Sequence, residues 1–119
     1  MVHSTDLVDR GYGKSRIDAL MEFGKVKTII TNPPYKNALE FAEHFTHQAE
    51  KVALLLKLNF LEGKARKEFF MRKPPKKVYV FSQRQSLMKN GQKYKGGMMA
   101  VAWFVWEKNS KTPPNIFWL

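Results

Sequence analysis

The stretch Val26-Lys27-Thr28-Ile29-Ile30-Thr31-Asn32-Pro33-Pro34-Tyr35 decides the fold. Its first half is a β-branched apolar run of strand length, which predicts a buried strand over residues 25–31. Its second half stops that strand at once. Pro33 and Pro34 lack backbone N–H groups and hold φ near about −65°. What leaves the strand is a stiff turn, rich in acceptors and poor in donors. Asn32 adds a side-chain carbonyl and Tyr35 adds a flat aromatic face. Such a turn suits an amino group carried on a flat ring. The chain has further Pro-Pro pairs at Pro74-Pro75 and Pro113-Pro114, but neither leads from an apolar strand into Asn and an aromatic.

Outward from this turn, the pattern alternates between helix and strand. Leu39, Ala42 and Phe45 recur at helical spacing, which predicts a helix over 37–50. Residues 51–58 form a continuous apolar run, as in a strand buried on both faces. A second helix is expected over 63–70, with Arg66 and Lys67 exposed, and Pro74-Pro75 stop it. Residues 77–82 read as a strand, and 83–97 as a basic loop with turn signals at Asn90-Gly91 and Gly96-Gly97. Residues 98–107 read as an internal strand. Met99, Val101, Trp103 and Val105 fall on one face of it, and Ala100, Ala102, Phe104 and Trp106 on the other. Upstream, 2–6 reads as a short strand, expected beside 25–31 or loosely held. Residues 10–14 read as a Gly-containing loop, and 15–23 as irregular or a helical turn or two. The expectation is a single α/β domain over 1–119.

The chain has no cysteine, which excludes disulfides and thiolate metal sites and fits a cytoplasmic setting. No apolar run approaches the ~20 residues a membrane helix needs, so no membrane partner is expected. Net charge is +11, and residues 57–95 hold twelve of the Lys/Arg against only Glu62 and Glu68. A basic block of this kind favours a polyanionic partner, with nucleic acid the best candidate.

An exocyclic ring amine such as adenine N6 is a poor nucleophile because its lone pair is delocalised into the ring. Acceptors on both N–H protons favour a tetrahedral nitrogen and return the lone pair to it. Asn32 Oδ1 and the Pro33 carbonyl are the candidate acceptors, Pro34 stiffens the turn, and Tyr35 would stack on a base taken out of the duplex. Transfer of a methyl group from a sulfonium is an in-line displacement governed by positioning, and it calls for no metal.

The sequence resembles the S-adenosylmethionine-dependent N6-adenine DNA methyltransferases of phage and prophage type, a Rossmann-like class. The tetrapeptide 32–35, the segment Leu56-Lys57-Leu58-Asn59-Phe60-Leu61-Glu62-Gly63-Lys64-Ala65-Arg66 and the segment 74–84 carry the resemblance. Ala102-Trp103-Phe104-Val105-Trp106-Glu107 and Ile116-Phe117-Trp118 extend it over nearly the whole chain from Thr5. It implies a partial class I methyltransferase sheet, with helices on both faces, ending in an antiparallel strand pair. The last strand of that sheet runs antiparallel between its neighbours. The resemblance further implies S-adenosylmethionine as cofactor, held by Asp6, Asp18 and Asn32. It makes Asn32, Pro33, Pro34 and Tyr35 catalytic. DNA is the implied partner, with Arg84, Lys89, Lys93 and Lys95 in a loop near it. The implied location is the cytoplasm of a bacterial or phage-infected cell.

The family's first strand and Gly-rich loop have no counterpart, since only five residues precede Asp6. The expectation is therefore the C-terminal part of a catalytic domain, with activity impaired by truncation. The alternatives are a non-catalytic DNA-binding module, or one half of a split enzyme that meets a partner chain or itself through exposed sheet edges.

Other signals are set aside. Gly11-Tyr12-Gly13-Lys14-Ser15 resembles the end of a phosphate loop, but Val8 stands where that pattern requires Gly. His44 and His47, near Glu40 and Glu43, read as a solvated helix face and not a metal site.

Overall fold

The computed structural model describes residues 27–89, 92–108, 110 and 112–119, with the backbone alone for 86–89 and 92–97. The sequence expectations at 2–6, 10–14 and 15–23, and those at Asp6 and Asp18, lie outside the described residues.

Strand β1 (Thr28–Thr31) is buried throughout. The Asn32–Tyr35 turn follows it and passes through a short 3₁₀ turn, Tyr35–Asn37, into helix α1 (Ala38–Gln48). Ala38, Ala42 and Thr46 are the buried positions of α1, four residues apart, which is the spacing that lines one helical face. The Thr46 hydroxyl donates to the Ala42 carbonyl at 2.7 Å, so this polar group is buried without an unmet bond. Strand β2 (Lys51–Lys57) pairs in parallel with β1, as a helical crossover allows. A second 3₁₀ turn, Leu58–Leu61, and Gly63 lead into α2 (Lys64–Arg72). Gly63 takes φ +115°, which side chains of L-residues rarely adopt. Strand β3 (Lys77–Val80) follows the Pro74-Pro75 stop.

Strands β4 (Gln85–Lys89) and β5 (Gln92–Met99) form a separate antiparallel pair, with Lys89 opposite Gln92. This corrects the expectation of a loop over 83–97. The alternation there is obscured by polar residues and by Gly96-Gly97, so the strands carry no apolar signature. The expected strand over 98–107 is broken at Ala100, and β6 (Val101–Glu107) begins after it. β7 (Asn115–Trp118) closes the chain.

The main sheet is mixed, in the order β1-β2-β6-β3-β7. β6 lies antiparallel between β2 and β3, with Leu55 opposite Trp103 and Tyr79 opposite Trp103 on the other side. Its two faces divide as the alternation predicts. Ala102, Phe104 and Trp106 join one core cluster, and Met99, Val101, Trp103 and Val105 join the other. Leu54, Leu55, Leu56, Trp103 and Phe104 are wholly buried. Each such side chain contributes on the order of 1.5–3 kcal/mol through burial.

Two features of the expected sheet differ among the described residues. Among the described residues, helices do not flank both faces: α1 and α2 both pack on the cluster that contains Ala42, Phe69 and Phe104. The reason is handedness. The crossovers β1→β2 and β2→β3 step across the sheet in the same direction, and right-handed crossovers then lie on the same face. The antiparallel pair is present as β3 and β6, but it does not end the sheet. β7 adds beside β3 in parallel, Lys77 opposite Asn115 through Val80 opposite Trp118. As an edge strand, β7 leaves Ile116, Phe117 and Trp118 exposed. Among the described residues no helix is long and apolar enough to cross a membrane.

Candidate functional site

The sheet directions bring several chain segments to one edge. β1, β2, β3 and β7 all point their carboxyl ends the same way, and β6 starts there. Backbone bonds tie the segments together at that edge. The Leu58 N–H donates to the Ala100 carbonyl at 2.9 Å, the Phe81 N–H to Val101 at 3.2 Å, and the Leu119 N–H to Val80 at 2.8 Å. In open α/β sheets the carboxyl edge is where ligands bind.

The Asn32–Tyr35 turn sits at this edge. β1 ends opposite Leu54, so the turn runs on past the last residues of β2. Pro33 is buried, Pro34 is exposed, and Asn32 and Tyr35 are half-buried. The turn closes on Pro34, whose carbonyl accepts from the Asn37 N–H at 3.2 Å, leaving Pro33 outside that bond. Asn37 itself is tied to α1, its amide donating to Glu40 Oε1 at 3.0 Å. The Asn32 side-chain oxygen is buried and has no hydrogen-bond partner among the described residues. A buried acceptor left in that state is unfavourable by about 1–3 kcal/mol, and such groups call for an explanation. Binding of an N–H donor at this edge would supply one.

Tyr35 packs at the margin of both core clusters. The Lys57 ammonium stands over its ring, 5.6 Å from the centroid. Between them and the second 3₁₀ turn lies a depression of about 310 Å³, lined by Tyr35, Lys36, Lys57, Asn59, Phe60 and Arg66 among others. Arg66 is not simply exposed, as the helical pattern suggests. Its guanidinium donates to the Asn59 carbonyl at 3.1 Å and the Glu62 carbonyl at 3.3 Å, and lies 5.1 Å from the Phe60 ring centroid.

A larger hollow of about 580 Å³ opens at the opposite edge of the sheet, among Thr46, Glu50, Met71, Lys73 and Trp106. Size alone favours it, but chemistry does not. The Trp106 indole N–H already donates to the Lys73 carbonyl at 2.9 Å, and nearby charges are paired, Arg72 with Glu43 at 2.8 Å and Lys76 with Glu107 at 3.2 Å. Among the described residues, the carboxyl edge holds the unmet acceptor and cations free of such pairing.

The basic block over 57–95 is therefore not one patch. Lys57 and Arg66 belong to the carboxyl edge, whereas Arg72, Lys73 and Lys76 lie at the other. Arg84 is exposed in the connection from β3 to β4. Lys89, Lys93 and Lys95 fall on the β4–β5 pair, where the backbone alone is described. Of the cofactor residues implied by the resemblance, Asn32 is at the edge, and Asp6 and Asp18 lie outside the described residues. Among those residues, no group of three or more His, Cys, Asp or Glu is placed to hold a metal ion. Sequence reasoning missed Lys36, Lys57 and Arg66 as site residues. The signal was a cation ending an otherwise apolar strand, followed by Arg66 one turn into a helix. No family model matches the chain, and no curated protein or solved structure matches it.

Proposed function

We propose that this chain belongs to an S-adenosylmethionine-dependent methyltransferase that acts on adenine N6 in DNA. The observation that carries the reading is the buried, unpartnered Asn32 oxygen in a turn rich in acceptors and poor in donors, next to Tyr35. The sheet order supports it too: parallel β1 and β2, then β6 antiparallel before β3, agrees with the arrangement implied by the sequence resemblance.

The chemistry follows from these residues. Asn32 Oδ1 and the Pro33 carbonyl accept the two N–H protons of the amine and localise its lone pair. A stiff proline turn would hold both acceptors without reorganisation, which is where positioning gains rate. Tyr35 stacks on the extruded base and contributes roughly 1–3 kcal/mol. The bound S-adenosylmethionine supplies an electrophilic methyl group on sulfur. After transfer the cationic amine is acidic enough to lose its proton to water, so no strong base is needed beside Asn32. Asn32 is also proposed to border the cofactor site, and Asp6 and Asp18 remain the proposed partners of the cofactor's ribose and adenine.

The test is methyl incorporation from labelled S-adenosylmethionine into adenine-containing DNA, with the product digested to nucleosides. N6-methyladenine is the expected product. Salt-sensitive DNA binding without cofactor binding would instead indicate a binding module. Transfer that appears only on adding a second chain would indicate a split enzyme.

A further inference from the structure

The charges around the smaller depression carry the account further. Lys36, Lys57 and Arg66 line it with Asn59, and among the described residues no carboxylate does. Among the described residues, ion pairs occupy Arg72 and Lys76 at the far edge, but none reaches these three cations. Two of the three are held in place. Lys57 lies over the Tyr35 ring, and Arg66 is fixed by the Asn59 and Glu62 carbonyls above Phe60. Both carbonyl bonds use one nitrogen of the guanidinium, which leaves its other donors for a ligand. Cations restrained before binding lose little freedom on binding. The floor is apolar, from Leu56 and Phe60. A volume of about 310 Å³ is at the small end for ligand pockets and cannot admit a duplex.

We infer that this depression binds a phosphodiester of single-stranded nucleic acid, with Lys36, Lys57 and Arg66 as the phosphate contacts beside the Tyr35 stacking face. The inference rests on the proposed function for the base at Tyr35, and on the charges alone for the phosphate. It gives the extruded nucleotide a second anchor, separate from the hairpin that carries Lys89, Lys93 and Lys95. Because Lys57 touches the stacking ring itself, base and backbone would be read by one contiguous surface.

The experiment measures binding of oligothymidylate to the full chain by fluorescence anisotropy, from about 50 to about 200 mM salt. Oligothymidylate has the phosphates but no adenine. The double variant Lys57→Gln with Arg66→Gln is expected to reduce the slope of log affinity against log salt by about 1.4, at about 0.7 per lost single-strand contact. Lys36→Gln with Lys57→Gln leaves the Arg66 carbonyl bonds intact and is expected to do the same. Arg72→Gln with Lys76→Gln removes equal charge at the opposite edge and is expected to leave the slope unchanged. An unchanged slope in the first two variants, an equal loss in all three, or no binding by the wild-type chain would overturn the inference. Displacement of the oligonucleotide by inorganic phosphate at constant ionic strength would overturn it in favour of a free-anion site. Slope loss in a chain that does not methylate adenine, alone or with a second chain, refutes the enzyme reading and leaves this one standing; methylation with an unchanged slope does the reverse.

Discussion

The Lys57 ammonium lies 5.6 Å from the centroid of the Tyr35 ring, so the last residue of β2 touches the aromatic that follows β1. Parallel pairing of these strands creates that contact: β1 ends opposite Leu54, and the Pro-Pro turn carries Tyr35 along the remaining residues of β2. The ring is thus a fixed platform. Replacing it by Tyr35→Leu keeps apolar bulk against the core but removes the stacking face. Affinity for a short adenine-containing single strand is expected to fall about 5- to 150-fold, the equivalent of roughly 1–3 kcal/mol. Anisotropy titration checks this, and an unchanged affinity would remove Tyr35 from the site.

Gly63 governs the geometry of the next segment. With φ +115°, it turns the chain out of the Leu58–Leu61 turn and into α2, which sets Arg66 against the Asn59 and Glu62 carbonyls. A Cβ at this position meets Arg66 Cδ at an ordinary 3.6 Å, so crowding is not the issue. The strain is in the backbone. Gly63→Ala is expected to destabilise the fold by about 1–3 kcal/mol, read as a lowered midpoint in chemical denaturation.

Trp103 is wholly buried, and its indole N–H has no hydrogen-bond partner among the described residues. Trp103→Ala is expected to lower stability by about 3–5 kcal/mol. Trp103→Phe should lower it less, because it fills much of the space that Ala leaves empty. Urea unfolding of both variants checks this: equal losses would mean that the volume Phe restores does not contribute to stability.

The β7 edge makes a separate prediction. Ile116, Phe117 and Trp118 are exposed at 49%, 41% and 70% on a strand that, among the described residues, has one open side. Such an edge invites pairing with a second chain. Ile116→Lys is expected to reduce concentration-dependent association in sedimentation while changing stability by no more than about 0.5 kcal/mol. Identical sedimentation would show that the edge does not self-associate.

What could be read from the sequence followed burial. β2 and β6 were legible because both faces are buried and the chain there is apolar without interruption. The turn at 32–35 was legible because proline dictates its own backbone. The β4–β5 pair was not, since Gln, Ser, Lys and Gly dominate it and the pairing comes from backbone bonds alone. β7 was not read as a strand because it is only four residues long and depends on β3 for its partner. The side on which α1 and α2 pack depends on crossover handedness, which no periodicity reports. Within the site, Asn32 and Tyr35 could be singled out by residue type. Lys36, Lys57 and Arg66 could not, because their role depends on which ends of distant strands meet.

The central claim rests on the Asn32 oxygen, and one measurement addresses it most directly: the rate of N6-methyladenine formation by Asn32→Ala against the wild-type chain, with DNA affinity and thermal stability measured alongside. The account predicts that transfer is lost, that affinity is largely kept, and that stability is unchanged or raised by about 1 kcal/mol, since the variant removes a buried acceptor that has no partner. Undiminished transfer by Asn32→Ala would contradict it.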